Sequence, residues 1–161
     1  MTATIVASRQ IDGNTYEIDT DSDRLDIALI HDFLTHHSYW ARGISLDTVR
    51  RSIAHSLVFG LYRGAAQIGF ARIVTDRTTF AYLADVFVLE AERNAGLGRW
   101  LIDTILADPG MQGLKRWLLV TSRAERLYRR CGFTDLRAGL HYLERFDADA
   151  YGPPVEKAAS G

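Results

Sequence analysis

The chain has 161 residues, 47% of them hydrophobic and 24% charged, with a formal net charge of −1. That length supports one domain with a substantial core, and the balance excludes a disordered chain and a general binder of nucleic acid or other polyanions. The lone Cys131 cannot form an internal disulfide, which suits a reducing compartment, and it reads as a small buried residue rather than a nucleophile. No apolar run approaches a membrane span, and Met1–Val6 lack a basic-then-apolar signal peptide, so a cytoplasmic protein without a membrane partner is expected.

Residues 15–20 read as a first strand, and Asp21 or Ser22 can cap a helix carrying Leu25, Ala28, Leu29, Asp32 and Phe33. Residues 35–45 are irregular. Ser45 then caps a second helix through Leu46, Val49, Ile53 and Ala54. Strands are predicted from Ser56 to Tyr62 and from Gln67 to Val74, joined by a turn at Arg63-Gly64. After a turn at 76–79 comes a strand from Phe80 to Val88, then a loop and helix over 93–107 that ends before Asp108-Pro109-Gly110. A strand from Arg116 to Thr121, a helix over 123–131 and a last strand through His141–Phe146 follow. Hairpin-length turns in the middle predict antiparallel pairing, and the long crossover at 89–115 predicts a parallel pair. The expected fold is mixed α/β (α+β), with a mostly antiparallel central sheet and helices on both faces. One domain spans 1–146, and 147–161 is a polar, proline-bearing, mobile tail.

The most informative stretch is Val86 to Leu101. An apolar strand ends in a polar turn, and Gly96 and Gly98 open an apolar-faced helix. Unpaired N–H groups at such a helix start favour an anion, and glycines let the backbone approach it closely. The phosphate loop of mononucleotide-binding proteins is ruled out because Arg99-Trp100 follows Gly98, where that loop needs Lys and Ser/Thr. A dinucleotide fingerprint is ruled out because Leu101 stands at the third glycine and Lys115–Leu118 supply no acidic ribose partner. What remains is Arg-x-x-Gly-x-Gly at Arg93, Gly96 and Gly98. Downstream, Ala124, Leu127 and Tyr128 share one helical face, Gly132 suits a left-handed C-cap, and Phe133 starts the next strand.

These two motifs, in this order and each at a strand-to-helix junction, resemble those of the GNAT superfamily of acyl-CoA N-acyltransferases over roughly residues 15–146. The first is similar to its Gln/Arg-x-x-Gly-x-Gly/Ala loop, and the second to Ala-x-x-Leu-Tyr-x-x-x-Gly-Phe. The resemblance implies a parallel pair, here 80–88 and 116–121, that splays apart to admit acetyl-CoA. It implies that Arg93, Asn94, Ala95, Gly96, Leu97, Gly98 and Arg99 hold the pyrophosphate. It further implies that the strand edge at Val86, Phe87 and Val88 holds pantetheine and polarises the acetyl carbonyl. Tyr128 falls where the family places a tyrosine near the thioester sulfur, as acid or as cofactor contact. Asn94-Ala95 depart from the usual basic or glycine residues, and Thr121 stands where many relatives carry an asparagine touching pantetheine.

The general base is open. Asp85 is a carboxylate in an apolar strand, so it must be satisfied or functional. Strand alternation sets it opposite Tyr82, Ala84 and Val86 unless a bulge intervenes. The family often carries a glutamate in this strand, and Tyr82 falls nearest that position. His37, Tyr39, Trp40 and Arg42, in a loop that also holds His36, have a composition suited to the acceptor. No metal is expected, since adjacent histidines point apart and no acidic partner is spaced for them. The basic run Arg123, Arg126, Arg129, Arg130, diluted by Glu125, could hold a small anion or form a solvated face. The reading is an acetyl-CoA-dependent N-acetyltransferase acting on a small-molecule amine, with a homodimer left open. The alternatives are a protein N-terminal or lysine acetyltransferase, or a non-catalytic CoA-binding sensor or partner module.

Overall fold

The computed structural model describes residues 5–152. Two compact units divide the chain. One holds the residues up to Leu25 together with Ile53–Phe133, and the other holds Asp26–Ser52 and the described residues from Thr134 onward.

The first unit carries a six-stranded sheet in which every neighbour in the chain is a neighbour in space. β1 (Ile5–Ile11) and β2 (Asn14–Asp19) form a hairpin. Its turn residues, Asp12 and Gly13, have φ of 48° and 78°. Positive φ at both positions is the mirror-image turn that an Asp-Gly dipeptide favours. β1 is an element that the sequence reading does not contain. β3 (Leu57–Arg63), β4 (Ala66–Thr75) and β5 (Phe80–Val88) extend the sheet antiparallel, close to their predicted bounds. The Asp76 carboxylate accepts hydrogen bonds from the Thr79 hydroxyl and from the amides of Thr78, Thr79 and Phe80, fixing the β4–β5 turn.

α3 (Leu97–Leu106) crosses over to β6 (Arg116–Leu118), which pairs parallel with the start of β5. α4 (Glu125–Arg130) follows. Ile18, Phe59, Ala71, Leu83, Leu101 and Ile105 centre a core shared by the strands, α3 and α4. Fully burying one such aliphatic side chain contributes about 1.5–3 kcal/mol.

The helix expected from Asp21 or Ser22 is two pieces, the first in the first unit and the second, from Asp26, in the second unit. Asp21 caps only a 3₁₀ turn at Ser22–Arg24, Leu25 is extended, and Asp26 caps α1 (Ile27–Asp32) by accepting from the Leu29 amide. A wide turn at Phe33–His37 continues α1. There the Ser38 amide donates to the Phe33 carbonyl and the Ser38 hydroxyl donates to that of Leu34. Thr35 ties this turn to the Ile44 carbonyl at 2.7 Å. α2 (Leu46–Ala54) begins where predicted, with Ser45 Oγ accepting from the Thr48 amide.

The strand expected over 141–146 does not form. Among the described residues none after Leu118 joins the sheet. The tail's residues 153–161 lie outside the described residues. No helix among the described residues is long and apolar enough to cross a membrane.

Candidate active site

β5 supplies the strand edge. Its pairing with β6 runs only from Phe80↔Arg116 to Tyr82↔Leu118. β6 stops at Leu118, short of the predicted Thr121, so on that side no described strand pairs with Leu83–Val88. The parallel pair parts at this point.

A bulge reorients the same strand. Phe70 pairs with Phe87 but Arg72 with Ala84, so Ala71 faces both Asp85 and Val86. Asp85 sits at φ +51°, a left-handed conformation that Asp and Asn tolerate better than most residues. Simple alternation therefore fails here. Asp85 turns to the face of Arg72 and Ala84, while Val86 packs with the core that holds Leu83 and Val88. The Arg72 Nε donates to Asp85 Oδ2 at 2.7 Å, and Arg72 Nη1 donates to Ser56 Oγ at 3.2 Å. The Asp85 and Arg72 side chains are 7% and 19% exposed.

Beyond Val88 the chain makes a 3₁₀ turn at Glu90–Glu92 and enters the glycine loop. The Arg93 Nε donates to the Val88 carbonyl at 3.0 Å, fastening the loop to the strand end. Asn94 and Gly96 both take positive φ, 67° and 74°. A Cβ on Gly96 would meet nothing within 4 Å, so the space in front of this turn is open. The Trp100 amide bonds to the Gly96 carbonyl, leaving the Leu97, Gly98 and Arg99 amides as the first-turn donors of α3. Asn94, Ala95 and Arg99 are exposed, Leu97 is buried, and Arg99 reaches Asp103 at 3.4 Å. The Glu92 carboxylate is neutralised by Arg63 at 2.9 Å, which lessens the negative charge beside the loop.

The second motif packs against the first. A Cβ on Gly98 would lie 3.7 Å from Leu127 Cδ2 and 3.9 Å from Val88 Cγ2, so α3, α4 and the end of β5 meet at this glycine. The Thr121 hydroxyl accepts from the Ala124 amide at 3.0 Å and so shapes the start of α4. Tyr128 is 9% exposed, and its ring meets Phe133 edge-on at 5.9 Å. Gly132 has φ +94° and its amide donates to the Arg129 carbonyl, the left-handed C-cap that was expected. Phe133 starts an irregular segment rather than a strand. Phe87 is buried against Phe70, with ring centres 6.1 Å apart.

Outside α4, an open groove of about 600 Å³ is lined by Ser122, Arg123, Glu125, Arg126, Arg129 and Arg130. Glu125 is paired with Arg129, so the lining is strongly basic. Burial, and then the neighbouring Asp103 carboxylate, push the Cys131 thiol up from its ordinary value.

The segment 35–45 has its own order. Tyr39 and Trp40 meet edge-on at 5.1 Å and both are exposed, as are His37 and Arg42. Asp32 contacts His36 at 3.0 Å and His37 at 3.6 Å. The histidines therefore do have an acidic partner, one helical turn back, contrary to the sequence expectation. No group of three or more metal-ligating residues occurs among the described residues.

Arg72 and Arg63 are absent from the sequence reading. Arg72 was discoverable, since it and Asp85 are the lone charges in apolar segments that form one hairpin. No sequence signal marks Arg63 as the partner of Glu92.

The sequence model of the acetyltransferase (GNAT) domain matches residues 54–135. A solved structure from Xanthomonas campestris pv. campestris, of a protein assigned to the GNAT family of acetyltransferases, is 43% identical. It aligns over 86% of this chain and 97% of its own, with a TM-score of 0.82. A Gibberella zeae protein assigned as an acetyltransferase is 28% identical over 76% of this chain and 81% of its own. The aminoglycoside N-acetyltransferase AAC(6')-Iy, solved in complex with CoA, shares the fold at 18% identity. Its TM-score is 0.62 over 86% of this chain and all of the other.

Proposed function

The chain belongs to the GNAT family of acetyltransferases, and on that premise we propose that it moves an acetyl group from acetyl-CoA to the primary amine of a small molecule, by direct attack in a ternary complex. One observation carries this reading. The end of β5 at Val88, the helix α3 that follows the left-handed turn at Gly96, and Leu127 of the tyrosine-bearing helix α4 meet at Gly98.

In this proposal the amides of Leu97, Gly98 and Arg99, with Arg93 and Arg99 nearby, hold the pyrophosphate. Asn94, Ala95 and Gly96 shape the turn that admits it. The edge of Val86, Phe87 and Val88 pairs with the pantetheine arm as an added strand would, and a backbone N–H there polarises the acetyl carbonyl. Thr121 borders the arm from the other side of the split. Acetyl-CoA is a substrate, and the solved CoA complex of AAC(6')-Iy supports the assignment at the level of fold.

The amine attacks the thioester carbonyl carbon, an N–C bond forms, and the C–S bond breaks. Tyr128 gives its phenolic proton to the departing thiolate. A phenol of pKa about 10 can do so only where the thiolate is poorly solvated, and burial of Tyr128 in the core supports such a setting. Asp85 anchors the incoming ammonium or takes its proton, with Arg72 fixing the carboxylate in place. His37, Tyr39, Trp40 and Arg42 are proposed, on composition, to recognise the acceptor. The lone Cys131 supports a cytoplasmic setting.

The test is release of free thiol from acetyl-CoA across a panel of small amines, followed by single-turnover kinetics of Tyr128→Phe at saturating acetyl-CoA. The chemical step should slow by roughly 10²-fold or more, while acetyl-CoA affinity changes less than about tenfold. A wild-type single-turnover rate would eliminate Tyr128 as the acid. Saturable acetyl-CoA binding with no turnover of any amine or peptide would overturn the enzymatic reading, and turnover of peptides alone would move the acceptor class to proteins.

A further inference from the structure

The glycine loop is poor in positive charge for a loop proposed to hold a diphosphate. Asn94 and Ala95 supply none, and Arg99 is already in contact with Asp103 at 3.4 Å. Arg93 uses its Nε on the neutral Val88 carbonyl and so keeps its charge, but Glu92 directly precedes it. Seen from a ligand in front of the turn, neighbouring charges of opposite sign largely cancel. Solvent does little to relieve this, because the Glu92 side chain is only 11% exposed, whereas Glu90 in the same 3₁₀ turn is exposed.

The cation that answers Glu92 comes from outside the loop. Arg63 is the last residue of β3, and its Nη1 donates to Glu92 Oε1 at 2.9 Å. Both ends of this contact are anchored to the sheet. After Arg63, the Gly64 amide donates to the Thr15 carbonyl at 2.9 Å, and the Gly64 carbonyl accepts from Arg24 Nη2 at 3.1 Å. After β5, the Leu89 amide donates to the Ile68 carbonyl at 2.8 Å, and the Glu92 amide donates to the Leu89 carbonyl at 2.9 Å. Neighbouring strands β3, β4 and β5, all in the first unit, thus bring the guanidinium to the carboxylate.

We propose that Arg63 is a positioning residue for acetyl-CoA, acting through Glu92. It neutralises that carboxylate and leaves the charge of Arg93 to the diphosphate. This role rests on the reading that residues 93–99 hold the pyrophosphate. It adds a requirement outside both sequence motifs, a cation at the end of β3 made necessary by an acid at position 92. The Arg63 side chain is 46% exposed, and ion pairs of that kind add little to folding. The main consequence of the pair therefore falls on the ligand. Masking of this kind needs a positive charge and not a guanidinium in particular.

Calorimetric titration of the full-length protein with CoA at low ionic strength tests this, with circular dichroism to verify that each variant is folded. Arg63→Gln should weaken CoA about tenfold, and Arg63→Lys should stay within about threefold of wild type. Glu92→Gln alone should not weaken binding. The double variant Arg63→Gln with Glu92→Gln, which strands no carboxylate, should recover to within about threefold of wild type. That recovery separates masking from mere fastening, because the double variant lacks the ion pair altogether. A wild type that binds CoA while Arg63→Gln binds it equally well overturns this role and leaves the pyrophosphate placement standing. So does a double variant as weak as Arg63→Gln, which would mean that Arg63 touches the cofactor or holds the loop in shape. A wild type that binds no CoA overturns the acetyl-CoA reading itself, and the role of Arg63 with it.

Discussion

Asp85 combines a left-handed backbone, near-complete burial and an ion pair, and substitutions can separate these contributions. In a regular strand, glycine is less stable than alanine by roughly 0.5–1 kcal/mol because it loses more backbone freedom on folding. At φ +51° the order should invert. Alanine in the left-handed region carries about 1–2 kcal/mol of Cβ strain, from which glycine is exempt and which asparagine largely escapes. Asparagine also keeps an oxygen for the Arg72 Nε, 2.7 Å from the present carboxylate. It loses only the charge assistance, worth about 1 kcal/mol as the difference between a charged and a neutral hydrogen bond. The expected stability order is therefore Asp, then Asn, then Gly, then Ala, with Gly above Ala by about 1 kcal/mol. Arg72→Leu should be the most damaging change at this pair, because it strands a carboxylate that is 7% exposed. Losses of 3–5 kcal/mol are typical when a fully buried pair is broken, and the 19% exposure of Arg72 places this one toward the lower end. Urea unfolding followed by circular dichroism at pH 7 measures the series. An alanine variant as stable as the glycine variant would refute the idea that the bulge conformation is strained.

Gly96→Asp keeps a residue type that tolerates φ +74° but sets a carboxylate before the α3 amides. Calorimetry should show at least a tenfold loss of CoA affinity in a folded protein, and unchanged affinity would reject the pyrophosphate placement. The Tyr62 hydroxyl is buried with no hydrogen-bond partner among the described residues, so Tyr62→Phe should leave stability unchanged or raise it by up to about 1 kcal/mol at pH 7. Burial, reinforced by Asp19, pushes the Tyr62 phenol well above its ordinary value, so above about pH 10 the unfolded chain sheds a proton that the folded chain keeps. Wild-type stability should therefore fall as pH rises from 10 to 11, and melting curves should show a shallower fall for Tyr62→Phe. Asp76 is held below the usual carboxylate range, first by the Thr79 hydroxyl and then by the amides of Thr79, Thr78 and Phe80. Its contribution is complete above about pH 4 and is lost as pH falls toward 2, so Asp76→Ala should flatten that acid limb of the urea midpoint.

Much of the sheet was legible because its signals are local. The β3, β4 and β5 strands are apolar runs bounded by turn residues, Ser45 caps the helix it precedes, and Gly132 occupies the left-handed position its spacing implies. What failed were inferences that needed a partner. β1 is recognisable only with weight on Asp12-Gly13, the dipeptide that closes its hairpin onto β2. Residues 141–146 hold Tyr142, Leu143 and Phe146, residue types common in strands, but composition does not show that an edge is available. The split of α1 from the Asp21 turn was equally hidden, since Asp21 and Asp26 are both competent caps and only the extended Leu25 between them decides.

The deepest failure lies within the proposed site, and it has a physical cause. A period of two commits each residue of β5 to one face, and under that rule Asp85 and Val86 exchange their observed places. The bulge inserts one residue against Ala71, letting Val86 and Val88 stay with the core while Asp85 and Phe87 face Arg72 and Phe70. A regular strand could not keep Leu83, Val86 and Val88 on one face. The irregularity falls within the stretch Leu83–Val88, where β6 no longer pairs with β5. Strained backbone is expensive, and here it is retained by a buried ion pair beside a strand edge that β6 leaves open. That coincidence is the strongest reason to seek the chemistry at β5, and it explains why periodicity misread the residues the proposal depends on.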